Sequence, residues 1–308
     1  MVIGIIGMGV VGKALYAYYR QDHDVYTYDK ATDDEAVLSA LNKCAHVVFI
    51  CVGTPYAGDG KGLDCSQVHA AVDVLSPSTA KWENTCGVCL KQDRKQEKDK
   101  PRWACPAEDI ARSQCDKIQS IKKGSGKTII IKSTVMPGTT DAIATKHPEH
   151  HVFYIPEFLS EKTAEEDYAN PRRGYIIGTT LPHDSYDKGF PIELLPDFEK
   201  VSVQRLPAYQ AELLKLATNA FYALKVTFAN QLFDAGVKQA TLYALGDDPW
   251  IGNDHMGIWH KNYRGYNGAC LPKDSEALVD FIGNTGSSVL LDAMQDYNDN
   301  LLTKNVTG

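Results

Sequence analysis

The sequence has no uninterrupted apolar run of the length a bilayer requires, roughly 20 residues. It opens on Met1-Val2-Ile3-Gly4-Ile5-Ile6-Gly7, with neither a basic leader nor a small-residue cleavage site. No membrane association is expected, and the cytoplasm is the expected compartment. A positive excess is also missing: 32 Lys and Arg stand against 39 Asp and Glu, a formal charge of −7. That balance argues against a general polyanion binder, because phosphate backbones are held by concentrated cations. Nor do the eight cysteines suggest a disulfide framework. Cys44, Cys51 and Cys65 are scattered through the first half and read as small buried side chains in a reducing compartment.

What is present is ordinary for packed cores: 44% hydrophobic residues in a chain of 308, enough for two domains at roughly 100–200 residues each. The first half alternates short apolar runs with helical patterns, at Val2 to Ile6, Val10 to Tyr19, Val25 to Tyr28, Val47 to Cys51 and Thr128 to Lys132. Continuous Val/Ile runs suit a parallel sheet covered on both faces, so the expected class is α/β, a doubly wound parallel sheet. Further strands are expected at Val152 to Ile155, Tyr175 to Ile177 and Val201 to Val203, closing a first domain at 1–207. From Ala208 the apolar positions Leu213, Ala217, Ala220, Leu224, Phe228 and Leu232 recur at helical spacing. One long helix over 208–240, an irregular loop from Gly246 to Gly268 and a helical ending from Ser275 to Lys304 make a small all-helical domain at 208–308. Apolar on more than one side, the long helix is also the expected homodimer contact.

Gly7-Met8-Gly9-Val10-Val11-Gly12 follows a strand and opens a helix, the context in which this glycine spacing lets backbone amides approach a pyrophosphate. Asp29 ends the second strand, where a carboxylate accepts hydrogen bonds from a ribose diol and disfavours a 2′-phosphate. NAD is therefore expected over NADP, while Lys30, in the same cofactor set beside Asp29, leaves room for a 2′-phosphate. Cys51-Val52-Gly53-Thr54-Pro55 and Ser133-Thr134-Val135-Met136-Pro137-Gly138 lie at carboxyl ends of parallel strands, where ligands bind. Thr54 and Thr134 are placed to bond cofactor or substrate.

Pro156-Glu157-Phe158-Leu159-Ser160-Glu161 sets two carboxylates four apart after a strand, able to position water. Lys215 and Asn219 are neighbours on one face of the long helix, inside an apolar run. Gly268-Ala269-Cys270-Leu271-Pro272-Lys273-Asp274 holds a thiol in a Gly/Pro-braced loop with a cation and a carboxylate close behind, the makings of a nucleophile.

These motifs, in this order, make the chain resemble the UDP-glucose/GDP-mannose dehydrogenase family over residues 1–76 and 119–304. The resemblance implies an NAD-dependent, UDP-glucose 6-dehydrogenase-like oxidoreductase acting on a nucleotide-sugar alcohol. The alcohol is oxidised twice, through an aldehyde, a thiohemiacetal on cysteine and a thioester that water hydrolyses to the acid. Carried over, Cys270 is the nucleophile, Lys215 and Asn219 stabilise the alkoxide and thiohemiacetal oxygens, Asp274 assists proton transfer and Glu157 serves hydrolysis. Thr134 and Glu161 hold water and substrate, Glu161 also belonging to the cofactor set with Gly7, Gly9, Val10, Val11, Gly12, Asp29, Lys30, Val52, Gly53 and Thr54. Family members continue into a second nucleotide-binding domain, which the end at Gly308 implies is absent. The lead-in Arg264-Gly265-Tyr266-Asn267-Gly268 departs from the family's aromatic-glycine pattern, and Ser160-Glu161-Lys162 lacks the glycine usual after the second glutamate.

Residues 77–118 break the rhythm. A parallel fold needs only a short turn before Thr128, yet this stretch carries Cys86, Cys89, Cys105 and Cys115, and residues 77–123 hold eleven Lys/Arg against seven Asp/Glu. A Cys-x-x-Cys pair followed by two more cysteines suits one tetrahedral zinc ion. The alternatives are a charged surface loop with incidental thiols or a redox-active Cys86/Cys89 pair. Its basic balance allows contact with an acidic protein or nucleic acid. Two rival functions stand beside the dehydrogenase: an NAD-binding regulatory or interaction protein that uses this insert, and a single-step β-hydroxyacid dehydrogenase, against which Cys270 argues.

Overall fold

The computed structural model describes residues 1–58, 60–76, 126–171, 173–180, 190–284 and 286–306. The chain runs β1 (Val2–Ile6), α1 (Val10–Tyr19), β2 (Asp24–Tyr28), α2 (Glu35–Cys44), β3 (Val47–Ile50), α3 (Ser66–Asp73), β4 (Thr128–Ile131), α4 (Thr139–Lys146), β5 (His151–Tyr154), α5 (Ala164–Ala169), β6 (Tyr175–Thr179) and β7 (Val203–Pro207). These strands form one seven-stranded sheet in the order β2-β1-β3-β4-β5-β6-β7. The class is α/β, a doubly wound, Rossmann-like sheet followed by a helical region. β3 and β4, Val-Val-Phe-Ile and Thr-Ile-Ile-Ile, are buried along their whole length, which is why they show no polar alternation.

The sheet departs from the all-parallel expectation at one seam. β2, β1, β3, β4 and β5 are parallel, but β6 runs antiparallel to β5 and β7 parallel to β6. Strand direction is not written in an apolar run. Here α5 packs against α1, and the chain returns along β5 without a full crossover. β7 also begins two residues later than Val201, its register being set by pairing Tyr175 with Val203 and Thr179 with Pro207.

Compactness divides the chain into two units. The first holds Met1–Thr54, Cys65–Ser133 and Pro137–Glu212; the second holds Pro55–Asp64, Thr134–Met136 and Leu213–Gly308. In the first, α1 covers the sheet, with Tyr19 stacked on Phe49 at 5.2 Å between centroids. Its buried hydroxyl shares a 2.7 Å hydrogen bond with Tyr168 and donates to Leu194 O at 2.9 Å, so the aromatic is buried without orphaning its polar end. On α2, Asp34 accepts the amides of Ala36 and Val37. At the other end the buried ammonium of Lys127 donates to Asn42 O at 2.6 Å and Ala45 O at 2.7 Å, a cation at the negative pole of the helix.

The single helix expected over 208–240, which lies in the second unit from Leu213 onward, is two: α6 (Ala208–Asp234) and α7 (Gln239–Gly246). Gly236 adopts φ +95°, and the bonds Val237 N to Leu232 O and Gly236 N to Phe233 O are those of a Schellman stop. The stretch read as irregular contains a short hairpin, β8 (Trp259–His260) with β9 (Tyr263–Arg264), so this unit is not purely helical. The helical ending is likewise split, into α8 (Leu271–Gly283) and α9 (Val289–Val306), with Asn284, Gly286 and two serines between them. Its packing centres are Ala223, Val226, Tyr266 and Met294, and Ala229, Leu242, Met256 and Ile258.

Candidate active site

In the first unit the chain leaves β1 for β2 on one side and crosses to β3 on the other, and at such a switch point the carboxyl ends of the strands open a crevice. A cavity of about 560 Å3 lies there. Gly7, Gly9, Val10, Val11, Asp29, Lys30, Val52 and Gly53 line it as the sequence suggested, joined by Leu38 and by Gln67, Ala70, Ala71 and Val74. The wall from α3 was not legible, since nothing local marks which face of a helix meets a ligand. Gly12 and Thr54 are not among the lining residues. Glu161 lines a separate depression with Val10, Lys13, Ala14 and the 162–166 turn.

The glycines divide by role. Gly7 has φ +96°, and a Cβ there would stand 2.6 Å from the Cys51 carbonyl; a Cβ on Gly12 would run into the carbonyl oxygen of Gly7. These two are demanded by the protein's own packing. A Cβ on Gly9 or Gly53 would meet no protein atom within 4 Å, so what their lack of a side chain keeps open is the cavity itself. Gly9 caps α1 without a side-chain hydrogen bond, and the first turn carries no acidic residue, leaving a positive helix end for an anion. Asp29 accepts Met8 N at 2.8 Å and Ala31 N at 3.0 Å. The Ala31 and then the Met8 amide hold its carboxyl below the usual range. An open-walled glycine turn, a helix N-terminus and an ionised acid at the second strand suit a dinucleotide. Cys51 also lines the cavity, but burial pushes its thiol up to about 12, so it is a packing residue.

Of the six residues expected to do chemistry, five belong to the second unit: Thr134, Lys215, Asn219, Cys270 and Asp274. α6 presents Lys215 and Asn219, both buried, with Lys215 Nζ 3.5 Å from Asn219 Oδ1. Asn219 Nδ2 donates to Asp274 Oδ2 at 2.6 Å, and Lys273 Nζ meets Asp274 Oδ1 at 2.5 Å. Asp274 is 1% exposed and has a partner on each oxygen, as a buried charge requires. Cys270 is exposed and is the N-cap of α8; its carbonyl accepts Asp274 N at 3.0 Å. The loop before it turns through Gly265 and Gly268, both at positive φ. It is clamped by Asn298 on α9, which accepts Tyr266 N at 2.7 Å and donates to Tyr266 O at 3.0 Å. Thr134 is half-buried within the same unit. Asp280 on α8 accepts Tyr56 OH at 2.8 Å and Gly62 N at 2.9 Å, holding the 55–64 loop.

Glu157 belongs to the first unit, where it forms a 2.6 Å ion pair with buried Lys132 and accepts Phe158 N. Nothing local in the sequence pairs Lys132 with Glu157, or points to the partners of Glu212. This carboxylate on α6 is 0% exposed and accepts Gly138 N at 2.6 Å, Thr140 N at 2.8 Å and Thr140 Oγ1 at 2.5 Å. Burial pushes its pKa up to about 7 against the pull of those bonds. The four cysteines read as zinc ligands, Cys86, Cys89, Cys105 and Cys115, lie outside the described residues. Among the described residues, no group of three or more His, Cys, Asp or Glu is arranged to hold a metal ion, and no helix is long and apolar enough to cross a membrane.

Comparison with known proteins gives the family and the fold. The model of the UDP-glucose/GDP-mannose dehydrogenase family NAD binding domain matches residues 106–187, and that of the family's central domain matches residues 209–300. The first match takes in residues 106–118, the end of the segment set apart above as an insert. UDP-glucose 6-dehydrogenase YwqF of Bacillus subtilis is 34% identical over 168 residues, covering 51% of this chain and 36% of that protein. UDP-glucose 6-dehydrogenase AglM of Haloferax volcanii is 28% identical over 327 residues, 97% of this chain and 70% of that protein. A solved UDP-glucose dehydrogenase from Pyrobaculum islandicum shares the fold, with a TM-score of 0.68 at 24% identity over 97% of this chain and 68% of that one. The match to an uncharacterized protein of Methanocaldococcus jannaschii spans 22% of its length, so the chain covers well under two thirds of some relatives. With both domain models matched in order, over more than half of its length, the chain belongs to the UDP-glucose/GDP-mannose dehydrogenase family.

Proposed function

We propose that the protein is an NAD-dependent dehydrogenase of the nucleotide-sugar type, oxidising a sugar primary alcohol to the carboxylate in two hydride transfers. The observation that carries this reading is the chain of contacts from buried Lys215 through buried Asn219 to buried Asp274, closed by partly exposed Lys273, with Cys270 one helical turn before Asp274. The glycine turn, Asp29, Val52 and Gly53 would hold NAD, which would supply the hydride acceptor, a fresh molecule for each of the two transfers. The protein's residues manage oxygen, sulfur and protons. Lys215 and Asn219 offer N–H donors to the alkoxide as the alcohol loses its proton. Loss of the first hydride from the alkoxide carbon leaves an aldehyde, to which Cys270 Sγ adds: a C–S bond forms, and the carbonyl oxygen takes up the thiol proton to become a hydroxyl stabilised by the same donors. As that hydroxyl gives its proton to the Asp274 carboxylate, loss of a second hydride leaves a thioester, and water cleaves its C–S bond, returning the thiol and releasing the acid. Asp274 is the proton station. The family resemblance assigns Glu157 to the hydrolytic water, and Thr134 and Glu161 to water and substrate.

Incubation with a panel of UDP- and GDP-sugars, counting NADH formed per sugar consumed, tests this reading. Two NADH per sugar and an acid product are expected. One NADH with an accumulated carbonyl product would support single-step chemistry, and NAD binding without turnover of any sugar would support a binding or regulatory protein.

The same reading includes a homodimer through α6, supported by the exposure of Phe221 (59%) and Phe228 (49%), seven residues apart on that helix; light scattering of Phe228→Glu against wild type tests it. For Cys86, Cys89, Cys105 and Cys115 the reading from sequence is one zinc ion. A zinc content well below one per chain, in protein never exposed to chelator, would overturn it. The cytoplasm remains the proposed compartment.

A further inference from the structure

The turn after β4 and the helix α6 are joined through one side chain. α4 begins at Gly138, which adopts φ +99° and provides no side-chain cap. The amides opening such a helix need acceptors. They are supplied from another element: Glu212 Oε2 takes Gly138 N, and Oε1 takes both the amide and the hydroxyl of Thr140. Four residues before Gly138 stands Thr134, with fully buried Val135 next to it. Three residues after Glu212, about 4.5 Å along a continuous helix, stands Lys215, and one turn later Asn219.

From this we infer that Glu212 is a positioning residue, which caps α4 from α6 and so holds the Thr134 segment in register with Lys215 and Asn219. The inference rests on the functional reading above, in which those three side chains serve the sugar. The site demands a carboxylate. Two amides arrive on two different oxygens, so a glutamine must turn its own NH2 toward one of them, and an aspartate is a methylene short. A kcat loss on the order of a hundredfold is the scale that small misplacement of positioned groups produces.

The test uses the full chain with Glu212→Gln, Glu212→Ala and Thr140→Val, and with Lys146→Ala as a control. The control removes only the exposed ion pair with Asp73 at the far end of α4. Hydrogen exchange of the NAD-free proteins is followed by mass spectrometry in peptides covering 133–140, and kcat, KM and NAD affinity are measured separately. Expected are faster exchange across 133–140 in both Glu212 variants, and a kcat reduced about a hundredfold with NAD affinity within twofold of wild type. Thr140→Val should lose several-fold in kcat, and Lys146→Ala nothing. Wild-type kcat in both Glu212 variants, or a parallel loss of kcat and NAD affinity, would overturn the inference. Should the Glu212 variants fail to fold, unchanged kcat in Thr140→Val would overturn it. If wild type turns over no sugar offered, the functional reading fails on its own, and exchange across 133–136 that is unaltered in Glu212→Ala would still sink the coupling proposed here.

Discussion

The carboxylate of Asp29 accepts the amide of Met8 at 2.8 Å, so the acid at the end of β2 shapes the glycine turn of β1 as well as lining the cavity at the switch point. Two roles on one side chain mean that its substitutions separate. Asp29→Asn retains an acceptor for the turn and loses the charge, whereas Asp29→Ala loses both.

Cofactor titration should therefore show NAD bound in preference to NADP by wild type. Losing the charge-assisted bonds should weaken NAD about 10–100-fold in Asp29→Ala. Asp29→Asn should fall between and narrow the gap to NADP. Unchanged NAD affinity in Asp29→Ala would disprove the ribose assignment.

On the proposed covalent route, Cys270→Ala should stop the reaction after one hydride, because there the thiol's task is to hold the carbonyl carbon for the second. Mass spectrometry of acid-quenched wild type should find a sugar adduct on the peptide carrying Cys270. Two NADH per sugar from Cys270→Ala would rule the covalent route out.

Asn298 meets both backbone groups of buried Tyr266. Asn298→Ala leaves an amide and a carbonyl unpaired, and urea unfolding should register a loss of about 2–4 kcal/mol. Because that clamp lies four residues before Cys270, adduct formation should slow as well. A variant as stable as wild type would show that water replaces the clamp.

Lys127 sets a pH dependence. Burial lowers its pKa from 10.5 to about 8, so between those values the unfolded chain binds a proton that the folded chain does not. Stability from this group therefore rises with pH across that window. The difference in unfolding free energy between wild type and Lys127→Met, followed from pH 7.5 to 10.5, should move in favour of wild type as pH rises. A difference flat in pH would mean that the ammonium's two carbonyl bonds offset its desolvation.

Much of the candidate site's layout was legible because its motifs are local. Gly7, Gly9 and Asp29 sit at strand ends that hydrophobic periodicity alone locates, and Lys215 and Asn219 share a helix face by spacing. What stayed hidden was the identity of partners far apart in sequence. Lys132 and Glu157 each look like a solvated charge until β4 and β5 lie side by side. Glu212, in Ala211-Glu212-Leu213-Leu214-Lys215, declares that a buried acid needs donors, but not that Gly138 and Thr140 supply them.

The sequence by itself determined the βαβ rhythm, the glycine turn and the order of chemical motifs, since each depends on residues within a few positions of one another, where steric and hydrogen-bonding preferences act directly. Tertiary structure alone decided the reversed direction of β6, the α3 wall of the cavity, the assembly of Asn219, Asp274 and Lys273, and the cap that Glu212 places on α4. Those depend on which surfaces meet after the chain has folded back on itself. There, desolvation makes one pairing of buried polar groups far better than the rest, and no short window of sequence contains both partners.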